Sequence, residues 1–469
     1  MEVIPATAED QFDPVNNIRT RTFFVLDELL DSDLLRSGLN RLIRIYWRKL
    51  GARLVKRRRG GGLEYHLPAI FEDDYQLFEW SIRNDEQPIV DAIPLIGAST
   101  QGGGISLLPS MDTVDAACRP SSWPYERKDE PPSAPLLYVH LTLFSDSTVI
   151  AISCPHMMAD QQGLANIIKA WLQVVDGKKP PPMTGFNENI LPKSKPYTAF
   201  EKNQVVRKGK IHVRRPFERL LVVLGFLPEL ILHPKELTYT LFVPLSLLKS
   251  LRERYTKELA GIYASVPALS YGDIVTAIAI KLSRLGDQRP KTITFTQTVN
   301  MRNRIPSLLG QRAEGYIHNA LIYSSARFPI DQSTPISEIA YRNRQSINEV
   351  LQDDSIEIEL AVIREMVRRG QTMHNCEVFE HSYSISNWAS AWKDLDFSPA
   401  IWGSEKGTVD ARPKFLVFGG SQLKMSPKRF ASLITCRNDA GFWCEYSVSS
   451  QKAKRIRQYL ATDPTLQNL

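Results

Sequence analysis

Two mixed α/β domains are the fold this sequence predicts, from its length, its composition and the way strand-like and helix-like patterns interleave. A chain of 469 residues is too long for one hydrophobic core, so two units of roughly 200 residues are expected. Hydrophobic residues make up 43% and charged residues 23%, the values of an ordinary globular protein rather than a disordered one. Period-2 and period-3.6 segments alternate in both halves, which favours sheets covered by helices over a helical bundle or a barrel.

The elements follow in order. Leu34, Leu35, Leu39, Leu42, Ile43 and Tyr46 trace an amphipathic helix over 31–47, which Ser32 or Asp33 can cap, and a strand follows near Arg53. The basic, glycine-rich run 56–62 reads as a surface hairpin tip. Residues 137–144 and 148–154 form two β-runs around Ser145-Asp-Ser147. Leu164, Ile167, Ile168, Trp171, Leu172 and Val175 then recur at helical spacing, so a helix begins near Asp160. A proline-containing stretch leads to a second unit. There, 238–243 reads as a strand and 245–255 as a helix; Ser270 and Asp273 cap another helix, and 292–296 returns as a strand. Helices over 336–351 and 356–367, strands at 415–418, 432–435 and 442–447, and a helix from about Gln451 close the chain. The division expected is 1–195, a basic crossover over 196–235, and 236–469.

Five scattered cysteines, none at zinc-ligand spacing, fit a reducing compartment and predict no metal site. The N-terminus lacks the basic and apolar regions of a secretory signal. The longest apolar run, 220–232, is interrupted by Pro228 and Glu229, so a cytoplasmic protein without a membrane span is expected. The formal charge is +7, and residues 176–216 alone carry seven Lys and three Arg against three acids. So local a surplus reads as a solvated crossover or a patch for a polyphosphate ligand. No recognition motif supports nucleic-acid binding.

The chemistry-bearing feature is His156 with Asp160, in Ile152-Ser-Cys-Pro-His-Met-Met-Ala-Asp-Gln-Gln-Gly163. A histidine delivered where a strand gives way to a helix suits a general base, because neutral imidazole titrates near working pH. None of the other seven histidines has Asp four residues on. Asp160 itself reads as an N-cap or another structural carboxylate, and a buried ion pair is compatible with that.

In this order the chain resembles the BAHD acyltransferase family, which moves an acyl group from coenzyme A to a hydroxyl or amine. The resemblance rests on 39–54, similar to the family's first helix and Leu-Ala-Gly-Arg-Leu strand start, and on Pro155-His156 through Asp160. It continues in the helix opening with Asp273, in Thr298-Val-Asn-Met-Arg-Asn-Arg304, in Tyr316-Ile-His-Asn-Ala320, in Ile385-Ser-Asn-Trp388 and in Asp394-Leu-Asp-Phe397. It implies two similarly folded mixed-sheet and helix domains of the chloramphenicol-acetyltransferase type with the active-site channel between them. His156 would be the base and Trp388 the oxyanion donor, with Ser386, Asn300 and Asn319 on the substrate or coenzyme side. Asp160 would pair with Arg302 or Arg304, and Asp396 would be structural. The resemblance further implies acyl-CoA, by default acetyl-CoA, as co-substrate without a tightly bound cofactor, and a small-molecule acceptor; a monomer is the default expectation for the oligomeric state. Fungal members acting on hydroxyls of terpenoid or polyketide scaffolds are the most similar.

Three departures touch turns: Gln161 and His318 replace family glycines, and Ser398-Pro399 replace Gly-Trp. Two other readings share the fold. A carrier-protein-dependent condensation enzyme usually has a second histidine where Pro155 stands, and a non-catalytic binding protein would keep the channel without turnover.

Overall fold

The computed structural model describes every residue except 58–61, 99, 101, 288 and 404–411. Two mixed sheets organise it. The first has five strands in the order Phe415–Gly420, Arg19–Leu26, Thr148–Pro155, Tyr138–Leu143, Glu79–Asn84; only its last pair is parallel. The second has seven, Leu321–Ile330, Lys291–Asn300, His381–Asn387, Ala431–Arg437, Gly441–Ser449, Glu236–Pro244 and Ser106–Leu108, with parallel pairs either side of His381–Asn387. A three-stranded sheet joins Glu2–Pro5, Leu63–Leu67 and Arg53–Lys56. The paired strands Arg53–Lys56 and Leu63–Leu67 flank the expected hairpin tip, and positions 58–61 of that tip lie outside the described residues.

The sheets exchange edges. Phe415–Gly420, from the C-terminal half, completes the first sheet against Arg19–Leu26, while Ser106–Leu108, from the N-terminal half, edges the second. Trp388, Trp392, Phe397 and Phe418 are accordingly buried in the same cluster as Phe23, Phe24, Ile150 and Ile167.

Strand Thr148–Pro155 is buried on both faces because sheet neighbours and helices cover it, which explains its nearly continuous apolar run. The helix Gln161–Val175 that follows is buried at most of its positions and seats Trp171 against the chain at Leu35 by an indole N–H bond of 2.8 Å. The early helix corrects the expected cap. It spans Ser32–Arg41, and Asp31, rather than Ser32 or Asp33, accepts from the N–H groups of Asp33 and Leu34. Its last expected turns, Leu42–Tyr46, are wound as a π-helix. The crossover also differs from a plain linker, since Pro216–Leu232 forms a 17-residue helix that runs through Pro228.

Candidate functional site

His156 stands at the point where both halves meet. Its backbone N–H donates to Ile18 O at 2.9 Å, and its carbonyl accepts from Asn319 Nδ2 at 3.0 Å. Tyr65 Oη donates to Met157 O at 3.3 Å. The histidine turn is therefore tied to three distant segments. From Ser147 to Gln161 every residue is buried except His156, which keeps partial solvent access. Its Nδ1 is enclosed and, among the described residues, meets no hydrogen-bond partner at good geometry. Burial holds the imidazole below its ordinary value, although Asp160 and Asn319 pull the other way, so the ring is neutral at neutral pH.

Asp160 caps the helix Gln161–Val175, with Oδ1 accepting from Gly163 N–H at 2.7 Å. Its Oδ2 accepts from Arg302 Nη1 at 2.8 Å and Ala320 N–H at 3.0 Å. Both side chains of this ion pair are 2% exposed. Arg302 spends its remaining donors on carbonyls of Tyr316 and His318 and on Asn300 Oδ1. A buried charge pair persists when its other hydrogen-bonding groups are satisfied in this way. Of the two arginines considered from sequence, Arg302 makes the pair, while Arg304 is exposed and, among the described residues, has no carboxylate within 4 Å.

Asn300 and Asn319 are thus placed as supports: Asn300 accepts from Arg302, and Asn319 bonds the carbonyl of His156. Trp388 and Ser386 form a second cluster. The indole N–H donates to Ser386 Oγ at 3.1 Å, and Thr298 Oγ1 donates to the same hydroxyl at 3.3 Å. Thr298 and Asn300 are two residues apart on strand Lys291–Asn300, so the two clusters share one strand face. Asp396 stands elsewhere. It accepts from the N–H and Oγ of Ser398 and lines a cavity of about 400 Å³ with Asn166, Lys169, Lys178 and Asp394.

Sequence reasoning missed a buried polar cluster behind the histidine turn. Asp10 Oδ1 accepts from both the backbone N–H and Nδ2 of Asn319, at 3.1 and 2.8 Å. Lys49 Nζ lies 2.8 Å from His318 Nε2, and His318 Nδ1 lies 3.5 Å from Asp10 Oδ2. An ammonium can only donate, so Nε2 accepts and the ring proton sits on Nδ1, facing Asp10. Burial pushes Asp10 up to about 7 and Lys49 down to about 8, and it drives His318 well below the ordinary histidine value. His318 fills a position expected to be glycine, which was the one available signal.

A family model described as "Transferase family" matches residues 121–218, which include His156 and Asp160. The chain is 29% identical over 392 residues to acetyltransferase adrJ of Penicillium rubens, covering 80% of this chain and 77% of that one. It is 26% identical to acetyltransferase pyiB of Pyricularia grisea over 87% and 82% of the two chains. The chain is an acyltransferase, and it resembles those of the BAHD type.

This acyltransferase shares the two-domain fold of solved structures at low identity. TRI101 of F. graminearum, complexed with coenzyme A and T-2 mycotoxin, matches with a TM-score of 0.71 at 14% identity, over 98% of this chain and 97% of that one. Vinorine synthase matches with a TM-score of 0.58 at 16% identity, over 97% and 92%.

One glycine of the site is required by close approach. A Cβ built on Gly163 would lie 1.8 Å from the carbonyl oxygen of Ile317, so the capped helix end and the Tyr316–Ala320 turn can touch only without a side chain there. Gly163→Ala is expected to cost about 1–3 kcal/mol by forcing the backbones apart. A urea midpoint unchanged from wild type would refute that.

Proposed function

We propose that the protein transfers an acetyl group from acetyl-CoA to a hydroxyl of a small terpenoid- or polyketide-type acceptor, working as a cytoplasmic monomer. The observation that carries this reading is His156, a neutral ring with partial solvent access in a buried run, held at the junction of the two halves. The acetyltransferase names of the relatives, and coenzyme A in the TRI101 complexes, support the donor class. For this chain, no helix among the described residues is long and apolar enough to cross a membrane.

In this mechanism Nε2 of His156 removes the acceptor proton as the oxygen attacks the thioester carbonyl. The resulting oxyanion is stabilised by Trp388 Nε1–H, which swings its hydrogen bond from Ser386 to the developing charge. Collapse of the tetrahedral intermediate breaks the carbon–sulfur bond, and the imidazolium returns its proton to the departing thiolate. Products are the ester and free coenzyme A. Asp160, Arg302, Asn300 and Asn319 are positioning residues that fix the turn carrying His156.

The test is release of free thiol from a set of acyl-CoAs against hydroxylated terpenoids and polyketides, with products weighed by mass spectrometry. Acetyl transfer to at least one hydroxyl is expected, and no thiol release with any pair would overturn the reading. Trp388→Phe keeps an aromatic ring without the N–H. It is expected to lower kcat by about 10²–10³, the worth of one oxyanion donor. A kcat within twofold of wild type would return Trp388 to packing alone.

A further inference from the structure

The helix Pro216–Leu232 is inside out. A surface helix normally turns its charged side to water and its apolar side to the core. Here Phe217, Leu220, Leu224, Leu227 and Ile231 repeat at intervals of three and four residues, joined by Val223 and Leu232, and all seven are between 39% and 73% exposed. The helix docks through its opposite side. Val222 and Gly225 are buried, Gly225 sits against the backbone of Phe379, and Phe226 stacks on His381 with ring centroids 5.8 Å apart and meets Phe430 edge-on at 4.8 Å. The charged residues of the helix, Glu218, Arg219 and Glu229, are all half-buried and lie off the apolar stripe.

From Phe217 to Ile231 the stripe runs about 21 Å at the helical rise. Its ends are basic. Arg215 immediately precedes the helix and Lys235 follows it by three residues; both are exposed, and no carboxylate among the described residues lies within 4 Å of either side chain. Exposed Lys202 and Lys208, equally without a carboxylate partner, precede them in the same crossover. Pairing with a second copy would be opposed by these charges. An antiparallel pair would bring Arg215 beside Lys235 of the other copy at both ends, and a parallel pair would set like residue on like. An anionic bilayer surface satisfies both features, because the stripe can enter the headgroup–acyl boundary while the terminal cations meet lipid phosphates and carboxylates.

We infer that Pro216–Leu232 is an interfacial helix that seats the protein on an anionic membrane surface. It lies in the plane of the bilayer and does not span it, since it carries three charged residues within 17. The inference is independent of the chemistry at His156.

The test is pelleting of the purified full-length protein with sucrose-loaded vesicles of phosphatidylcholine alone or mixed with phosphatidylserine. The protein is expected to pellet with the mixed vesicles at least about thirtyfold more strongly than with phosphatidylcholine alone, as two or more basic groups near the surface provide. The triple variant Leu220→Glu/Leu224→Glu/Leu227→Glu should remain in the supernatant, with circular dichroism and melting temperature as in wild type. Arg215→Glu/Lys235→Glu should lose the gain from phosphatidylserine while its binding to phosphatidylcholine persists. Wild type that stays in solution with both vesicles would overturn the inference, as would a triple variant that pellets like wild type. So would light scattering that finds a dimer dissolved by the triple substitution without any vesicle binding, for the stripe would then be a self-interface.

Discussion

His156→Ala is expected to lower kcat for acyl transfer by about 10²–10⁴, the usual worth of a positioned general base, while the melting temperature stays near that of wild type. The fold should survive because the turn is held mainly by backbone groups: the N–H and carbonyl of His156 keep Ile18 and Asn319 whatever the side chain. The same ring sets the pH dependence. Burial holds His156 below its ordinary value of 6.5, and only the neutral form can accept a proton. kcat/KM should therefore fall as pH drops through a single limb below 6.5 and stay flat from there to neutrality. A limb at or above 6.5 would show that the imidazole is not desolvated in the working enzyme. Retention of a large part of the rate by His156→Ala would remove the histidine from the chemistry altogether.

Arg302→Met should destabilise the protein by about 3–5 kcal/mol, the cost of leaving one partner of a buried ion pair unpaired. Asp160 would be left at 2% exposure with only the N–H groups of Gly163 and Ala320 to solvate it. Asp160→Asn combined with Arg302→Met should cost less than the sum of the two single changes, because the double variant buries no uncompensated charge. Urea unfolding of the three variants measures both quantities. A loss below about 0.5 kcal/mol for Arg302→Met would mark the pair as dispensable. Activity should fall with Arg302→Met as well, since its guanidinium also bonds the carbonyls of Tyr316 and His318 and so holds the turn that delivers Asn319 to His156.

What could be read from the sequence was whatever is local. The helix after Asp160, its cap and the two strands before it are encoded within some forty residues, and each was legible as period and turn chemistry. The arginine partner was narrowed to two candidates, because Arg302 and Arg304 share the same short segment and only burial separates them. Asp10 could not be found, since it meets Asn319 across 309 residues and nothing near either position announces the other. The helix at Pro216–Leu232 was hidden for a different reason. Its apolar residues face outward, so the run offered no polar side against which an amphipathic helix could be recognised, and Pro228 and Glu229 read as interruptions. The cap at Asp31 was displaced by one residue because three consecutive polar side chains, Asp31, Ser32 and Asp33, all suit that role and only the backbone dihedrals choose.

The exchange of edge strands has a consequence for how the chain is made. The sheet that carries His156 takes its outer strand from Phe415–Gly420, so on the ribosome its first four strands emerge some 250 residues before the fifth is synthesised. Throughout that interval Arg19–Leu26 presents an unpaired rim to other nascent chains and to chaperones. Translation must reach Gly420 before the lobe bearing the histidine can close, and a fragment ending at the crossover would be left permanently open along that rim.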